Sequence, residues 1–302
     1  MPPSPPTTGL ALGGGGVKGM AHVGVLAALT ARGLRFDRVA GTSIGALVGA
    51  FYAAGFAPET VHRLLLEVPL SGLFALRLDA RALVGVEPMR GFLREHLGDA
   101  RIEDLEIPLS VVCTDLETGE RVCLERGDVV EAVMASSAVP GVFAPVRLDG
   151  RVLVDGGLTD NLPVSVLRER GCERVVAVRL VGSQPSGAWP SLRRTRMSRW
   201  AHHLAEALEG GDRVGTAIGD PRVLQTVARS VDILTAGLEA ATLAAVAPDV
   251  LVTPDLAAVG FLDVTEDREG MYARGVEAVD AVADRIAEVF PDAAPRGLPS
   301  PS

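Results

Sequence analysis

The sequence predicts an α/β fold built on a mostly parallel, helix-covered central sheet, and three observations lead there. Short apolar runs of strand character alternate with helix-compatible runs through the first 181 residues. Two of the apolar runs, Gly9–Leu12 and Phe36–Ala40, end in glycine-rich turns that open directly into a helix. A chain of 302 residues, 48% of them hydrophobic, can also bury a large core.

Taken in order, residues 1–8 read as a disordered Pro-rich tail, and 9–290 as one domain. Gly9–Leu12 is the first strand. It runs into Gly13-Gly14-Gly15-Gly16-Val17-Lys18-Gly19, then a helix through Ala31. The second strand, Phe36–Ala40, leads through Gly41-Thr42-Ser43-Ile44-Gly45 into an apolar helix over Ala46–Ala54. Helices over Pro58–Val68 and Glu87–Leu97 flank Leu70–Leu76, an apolar stretch broken by Gly72 that reads as core or as the wall or lid of an acyl channel. Ile107–Thr114 and Arg121–Leu124 alternate as strands around the turn Glu117-Thr118-Gly119. Asp128 begins a helix to Ser136, and Pro140-Gly141 closes that segment.

Arg151–Val154 is a buried-type strand that runs into Asp155-Gly156-Gly157. A helix over Pro163–Arg170, a strand over Arg174–Val181 and a Ser/Gly/Pro-rich loop over Gly182–Ser191 follow. Residues 192–246 read as helical, Asp249–Thr253 as a last strand and Glu266–Phe290 as a terminal amphipathic helix, before a second disordered Pro-rich tail at 291–302.

A net charge of -9 argues against nucleic acid as a partner and gives no general attraction to anionic membranes. The cysteines are odd in number, Cys113, Cys123 and Cys172, without metal or redox spacing, and the N-terminus has no basic region and no apolar signal core. A reduced, cytoplasmic setting follows as the expectation. Arg193, Arg194, Arg196 and Arg199 lie between Trp189 and Trp200, a basic patch that reads as a solvated helix face or as a transient contact with a membrane surface.

The chemistry gathers at the glycine turns. A Ser flanked by Gly41 and Gly45 fits the sharp strand-to-helix turn that presents a nucleophilic hydroxyl, because neighbours without Cβ let the backbone bend tightly. The bland reading is a helix whose Gly41, Gly45 and Gly49 permit close packing. Membrane insertion is the other rival, and it fails because Thr, Ser and four Gly interrupt the apolar run.

The Gly13–Gly19 turn presents a row of backbone N–H groups at a helix start, a cradle for an anion. Gly14–Gly19 also matches a dinucleotide fingerprint. That fold wants a carboxylate at the end of its second strand, whereas Asp37 precedes the strand and Gly-Thr-Ser ends it. No Gly-Lys-Ser/Thr occurs for a P-loop. An oxyanion hole suits these amides better.

A serine hydroxyl needs a base. Of the five histidines, His22, His62, His96, His202 and His203, the last two sit in an Arg-rich helical segment without turn chemistry and His22 in the helix after the glycine turn. Asp155 remains. Desolvation against Val152, Leu153 and Val154 would raise its pKa towards that of a useful base, and two following glycines leave room for substrate; a turn-capping aspartate is the alternative. No carboxylate cluster proposes a metal, and the chemistry needs no cofactor.

The three blocks Gly13–Gly19, Gly41–Gly45 and Asp155–Gly157, in this order and spacing, resemble the oxyanion loop, nucleophile elbow and D-G-[A/G] motif of the patatin-like phospholipase family. Thr114–Gly119, Ser136–Pro145 and Asn161-Leu162-Pro163-Val164 are similar to the same family. The resemblance implies a three-layer fold with helices on both faces of the sheet. It implies Ser43 as nucleophile, Asp155 as its dyad base and the amides of Gly14, Gly15 and Gly16 as the oxyanion hole. Lys18 takes the basic place before Gly19, where Arg is commoner. As the only lysine among 29 cationic residues it reads as an electrostatic anchor of the loop or as a single neutral exchange.

The implied activity is hydrolysis of phospholipid or other fatty-acyl esters. A regulatory protein that binds acyl ligands with little turnover is the alternative.

Overall fold

The computed structural model describes residues 6–67, 87–140, 143–180, 221–256 and 267–293. In chain order these form β1 (Thr8–Leu12), α1 (Gly19–Ala31), β2 (Arg38–Thr42), α2 (Ile44–Ala53), α3 (Pro58–Glu67) and α4 (Glu87–Leu97). Next come β3 (Leu109–Asp115), β4 (Arg121–Leu124), α5 (Val129–Ser136), β5 (Val146–Leu148), β6 (Arg151–Asp155) and α6 (Val164–Glu169). The rest is β7 (Arg174–Val178), α7 (Pro221–Ala245), β8 (Val250–Val252), α8 (Arg268–Asp280) and α9 (Ala283–Val289).

The strands make one eight-stranded sheet in the order β5-β6-β3-β2-β1-β7-β8, with β4 also paired to β3. The β1–β2, β1–β7, β2–β3 and β7–β8 pairs are parallel. The β3–β4, β3–β6 and β5–β6 pairs are antiparallel. The fold is the mostly parallel α/β sheet expected, although β5 has no counterpart in the sequence reading: a three-residue edge strand is too short for its alternation to show.

Successive side chains of a strand point to opposite faces, so each strand feeds two cores. Leu10 and Leu12, Val39, Leu109 and Val111, and Val176 and Val178 join one core with α1, α2 and α5. Ala11, Ala40, Val112 and Ala177 join the other with Val164, Val166 and Leu167 of α6, and Leu243 of α7 packs on it. Helices thus cover both faces. The alanines on the second face let the short α6 lie close against the sheet.

Local signals fix the ends. Asp128 caps α5 by accepting the Glu131 N–H at 3.0 Å, and Asp267 caps α8 by accepting that of Gly270 at 2.8 Å. Thr8, assigned to the tail by composition, instead opens β1, where its N–H donates to Asp37 Oδ2 at 2.7 Å. Asp37 is therefore occupied in tying β1 to the approach to β2.

The terminal helix is two helices, not one, with the break at residues 281–282. α8 packs on α1 so closely that a Cβ on Gly24 would lie 2.0 Å from the Tyr272 carbonyl oxygen, and one on Gly275 2.2 Å from that of Ala21. α9 turns back to the sheet: Arg285 Nε donates to the Asp249 carbonyl at 3.0 Å, and Phe290 meets Phe36 edge-on at 6.5 Å. The break lets the two pieces serve these separate contacts.

Leu70–Leu76, Gly141, Val142, the 182–191 loop, the Trp189–Trp200 patch, His202 and His203 lie outside the described residues. So does the 192–220 part of the helical expectation. Among the described residues no helix is long and apolar enough to cross a membrane.

Candidate active site

Sheet register brings the three glycine blocks to one level. Leu12 at the end of β1 pairs with Gly41, and Thr42 at the end of β2 pairs with Val112. The next residue of β3, Cys113, pairs with Asp155. β6 runs antiparallel to β3 but pairs only with Cys113–Asp115 at the C-terminal end of that strand, so the last residue of β6 stops level with the strand end where β1 and β2 turn into their helices.

Ser43 occupies the turn between β2 and α2 with φ 55° and ψ -123°, a left-handed conformation that a residue with a side chain rarely adopts. The flanking glycines make the bend sterically feasible. A Cβ on Gly41 would lie 2.6 Å from the Gly45 carbonyl oxygen, and one on Gly45 2.2 Å from that of Leu12. A side chain at position 19 would meet Ile44 Cγ1 at 2.4 Å, so Gly19 lets the residue after Ser43 pack against the start of α1.

The Ser43 N–H donates to Ser136 Oγ at 2.8 Å, and that hydroxyl donates onward to the Val112 carbonyl at 2.6 Å. Thr42 Oγ1 donates to the Asp160 carbonyl at 2.8 Å, tying the elbow to the loop after β6.

Asp155 is 7% exposed. Its Oδ1 accepts the Gly157 N–H at 2.7 Å, and the Ser43 side chain lies near enough to favour its ionised form. Burial pushes its pKa up to about 6 against the opposing pull of both groups. Asp155 is thus a turn-capping aspartate, as one of the two sequence readings had it. Thr114 Oγ1 donates to the Asp155 carbonyl at 2.9 Å, and Gly156 passes so near β3 that a Cβ there would lie 2.2 Å from the Val112 carbonyl oxygen.

The glycine turn after β1 lies beside the serine: a Cβ on Gly14 would be 3.5 Å from that of Ser43. The Gly13 N–H donates to the Val178 carbonyl and the Gly14 N–H to the Asn161 carbonyl, each at 3.0 Å. This corrects the expectation for Gly14, whose amide is already bonded and cannot serve an oxyanion in this conformation. The amides of Gly15 and Gly16 donate to no acceptor among the described residues. Lys18 is buried and its Nζ donates to the Leu180 carbonyl at 3.4 Å, fastening the turn to the segment after β7.

No histidine among the described residues bonds Ser43 or Asp155. His22 is fully buried with Nε2 2.7 Å from the Gly13 carbonyl oxygen, and burial lowers its pKa to about 4. The neutral ring therefore donates through Nε2–H and steadies the turn. His62 pairs with Glu269 at 3.1 Å, and His96 meets the Phe92 carbonyl at 2.9 Å.

Three contributors went unassigned from sequence. Ser136 and Asn161 stood only inside longer stretches of resemblance, and Glu239, whose Oε2 accepts from Asn161 Nδ2, had no signal at all within an extended helical run.

A model of the patatin-like phospholipase family matches residues 10–168, more than half of the chain and all three glycine blocks. The chain belongs to the patatin-like phospholipase family. An uncharacterised NTE family protein of Mycobacterium tuberculosis is 39% identical over 187 residues, 61% of this chain and 52% of its own length. Lysophospholipase NTE1 of Saccharomyces cerevisiae is 33% identical over 177 residues, 56% of this chain and 10% of its own. A patatin-like phospholipase domain-containing protein of Caenorhabditis elegans is 34% identical over 209 residues, 62% of this chain and 15% of its own. The chain therefore spans about half the length of the mycobacterial relative and a small part of the other two.

Proposed function

We propose that this chain, acting over residues 9–290 as one unit, is a serine acyl hydrolase that cleaves fatty-acyl esters of phospholipids or related lipids through Ser43 and Asp155. The observation that carries the reading is a serine held at φ 55° close to a buried carboxylate whose pKa burial raises to about 6. A carboxylate of ordinary pKa is a poor proton acceptor at neutral pH, and one near 6 is a better match to the task. The name of the yeast relative supports a lipid substrate.

In the first step Ser43 Oγ bonds to the ester carbonyl carbon while its proton passes to Asp155. The N–H groups of Gly15 and Gly16 hold the resulting oxyanion. Collapse breaks the ester C–O bond, and the leaving oxygen takes the proton from Asp155. Water, deprotonated by Asp155, then attacks the acyl-serine, and the fatty acid leaves as Ser43 recovers its proton. No step calls on a metal or cofactor. Contact with a membrane surface would be transient, at the headgroup level where the substrate lies.

The test is labelling with a fluorophosphonate, mapped to Ser43, alongside hydrolysis of p-nitrophenyl butyrate and lysophosphatidylcholine. Ser43→Ala is expected to lose labelling and about 10⁴-fold or more of turnover; unchanged hydrolysis in that variant overturns the reading. Because Asp155 acts ionised, kcat/KM should fall about tenfold per pH unit below its pKa of about 6. A flat profile from pH 5 to 8 would remove Asp155 from the role.

A further inference from the structure

Helix α7 lies outside the segment matched by the family model, yet one of its side chains reaches the site. Glu239 is 1% exposed. Its Oε2 accepts from Asn161 Nδ2 at 2.7 Å, and its Oε1 forms an ion pair with Arg179 Nε. Arg179 directly follows β7 and its backbone N–H donates to the Val252 carbonyl at 2.9 Å, so the cation stands on the sheet.

A carboxylate this deeply buried is a poor way to dock a helix that could have used leucine there. Its geometry offers a reason. An ionised carboxylate only accepts, so it admits one orientation of the Asn161 amide, with Nδ2 towards Glu239 and Oδ1 away. That Oδ1 is wedged between the two loops that flank Ser43: a Cβ on Gly14 would lie 2.4 Å from it, and one on Gly157 3.1 Å. The backbone carbonyl of Asn161 meanwhile accepts the Gly14 N–H at 3.0 Å. Asn161 thus touches the glycine turn through its main chain and side chain, and the Asp155 turn through the same amide oxygen.

We propose that Glu239, with Arg179 as its counterion, is a positioning residue: by fixing the Asn161 amide it sets the gap between the Gly13–Gly16 turn and the Asp155–Gly157 turn around Ser43. The inference rests on the functional reading above and extends it to a helix that the family match does not include. Its chemistry lies in orientation alone, since Glu239 touches no reacting atom.

Glu239→Gln keeps the shape but removes the all-acceptor head. Its amide cannot accept from Asn161 Nδ2 without turning its own N–H towards Arg179, nor face Arg179 without opposing two donors at Asn161. With p-nitrophenyl butyrate and the full chain, kcat should fall about ten- to a hundredfold at nearly unchanged KM, with a lower Tm because Arg179 loses its counterion. Removing the cation as well, in Glu239→Gln/Arg179→Met, frees the amide to turn its oxygen to Asn161 and should restore kcat to within about threefold of wild type. Should Glu239→Gln fail to fold, that restoration in the double variant decides alone. A folded Glu239→Gln protein with wild-type kcat, or a loss that the double variant does not recover, overturns the proposal. Fluorophosphonate labelling keeps the two readings apart: no label on Ser43 in the wild type sinks the hydrolase, whereas a labelled wild type with indifferent variants sinks only the positioning role.

Discussion

The elbow at Gly41–Gly45 and the turn at Asp155–Asn161 face each other across the site, and they are held by different means. The elbow is shaped chiefly by main chain: any Cβ on Gly41 or Gly45 would strike the carbonyl oxygens of Gly45 or Leu12, and their absence leaves room for Ser43 to take its left-handed conformation. The Asp155 turn is held by side chains from afar, through Thr114 on β3, Thr42 on β2 and Glu239 on α7. A short peptide pattern can specify the first arrangement. The second exists only once the sheet has assembled.

That contrast can be broken or sharpened. Gly45→Ala should have the largest effect, because its Cβ would lie 2.2 Å from the Leu12 carbonyl oxygen and β1 cannot retreat from its two parallel neighbours. A loss of about 3 kcal/mol or more, read by urea unfolding, is expected, and a stable Gly45→Ala protein would remove the steric account of the elbow.

Asp155→Asn is expected next, with opposite signs for activity and stability. The folded pKa of about 6 lies above the ordinary aspartate value of 3.8, so the native state favours the protonated form and loses stability as pH rises between those values. Replacing the carboxylate should therefore abolish turnover yet stabilise the fold at pH 7.5 by on the order of 2 kcal/mol, an advantage that vanishes near pH 4. A Tm gain that is the same at both pH values would show that charge burial is not its cause.

Gly157→Ala should have the smallest effect on folding, since its Cβ would meet only side-chain tips, Asp155 Oδ1 at 3.0 Å and Asn161 Oδ1 at 3.1 Å. About 1 kcal/mol is expected, with a disproportionate fall in kcat as those two side chains shift. If Gly157→Ala unfolds as readily as Gly45→Ala, the two regions are not built differently.

The same contrast explains what could be read in advance. The strand-to-helix turns at Gly13 and Gly41 follow from glycine placed after apolar runs, and the mostly parallel sheet follows from their alternation with helices. The raised pKa of Asp155 was foreseeable from the three apolar residues before it. Ser136, Asn161 and Glu239 were not, because a bond between positions 43 and 136, or 161 and 239, leaves no local pattern. The bonding of the Gly14 amide to Asn161 was hidden for the same reason. The break between α8 and α9 has no Pro or Gly to announce it; it answers to Arg285 and Phe290 reaching back to the sheet.

Where α1 crosses α8, main chain rests on main chain at Gly24 and Gly275. Two helices in such contact behave as a keyed joint, since neither can slide or roll without lifting away from the other. α1 begins at the glycine turn, so the orientation of that turn is anchored by a helix from the far end of the sequence. A bulky side chain at position 275 would reach the serine only indirectly, by tilting the beam from which its neighbouring loop hangs.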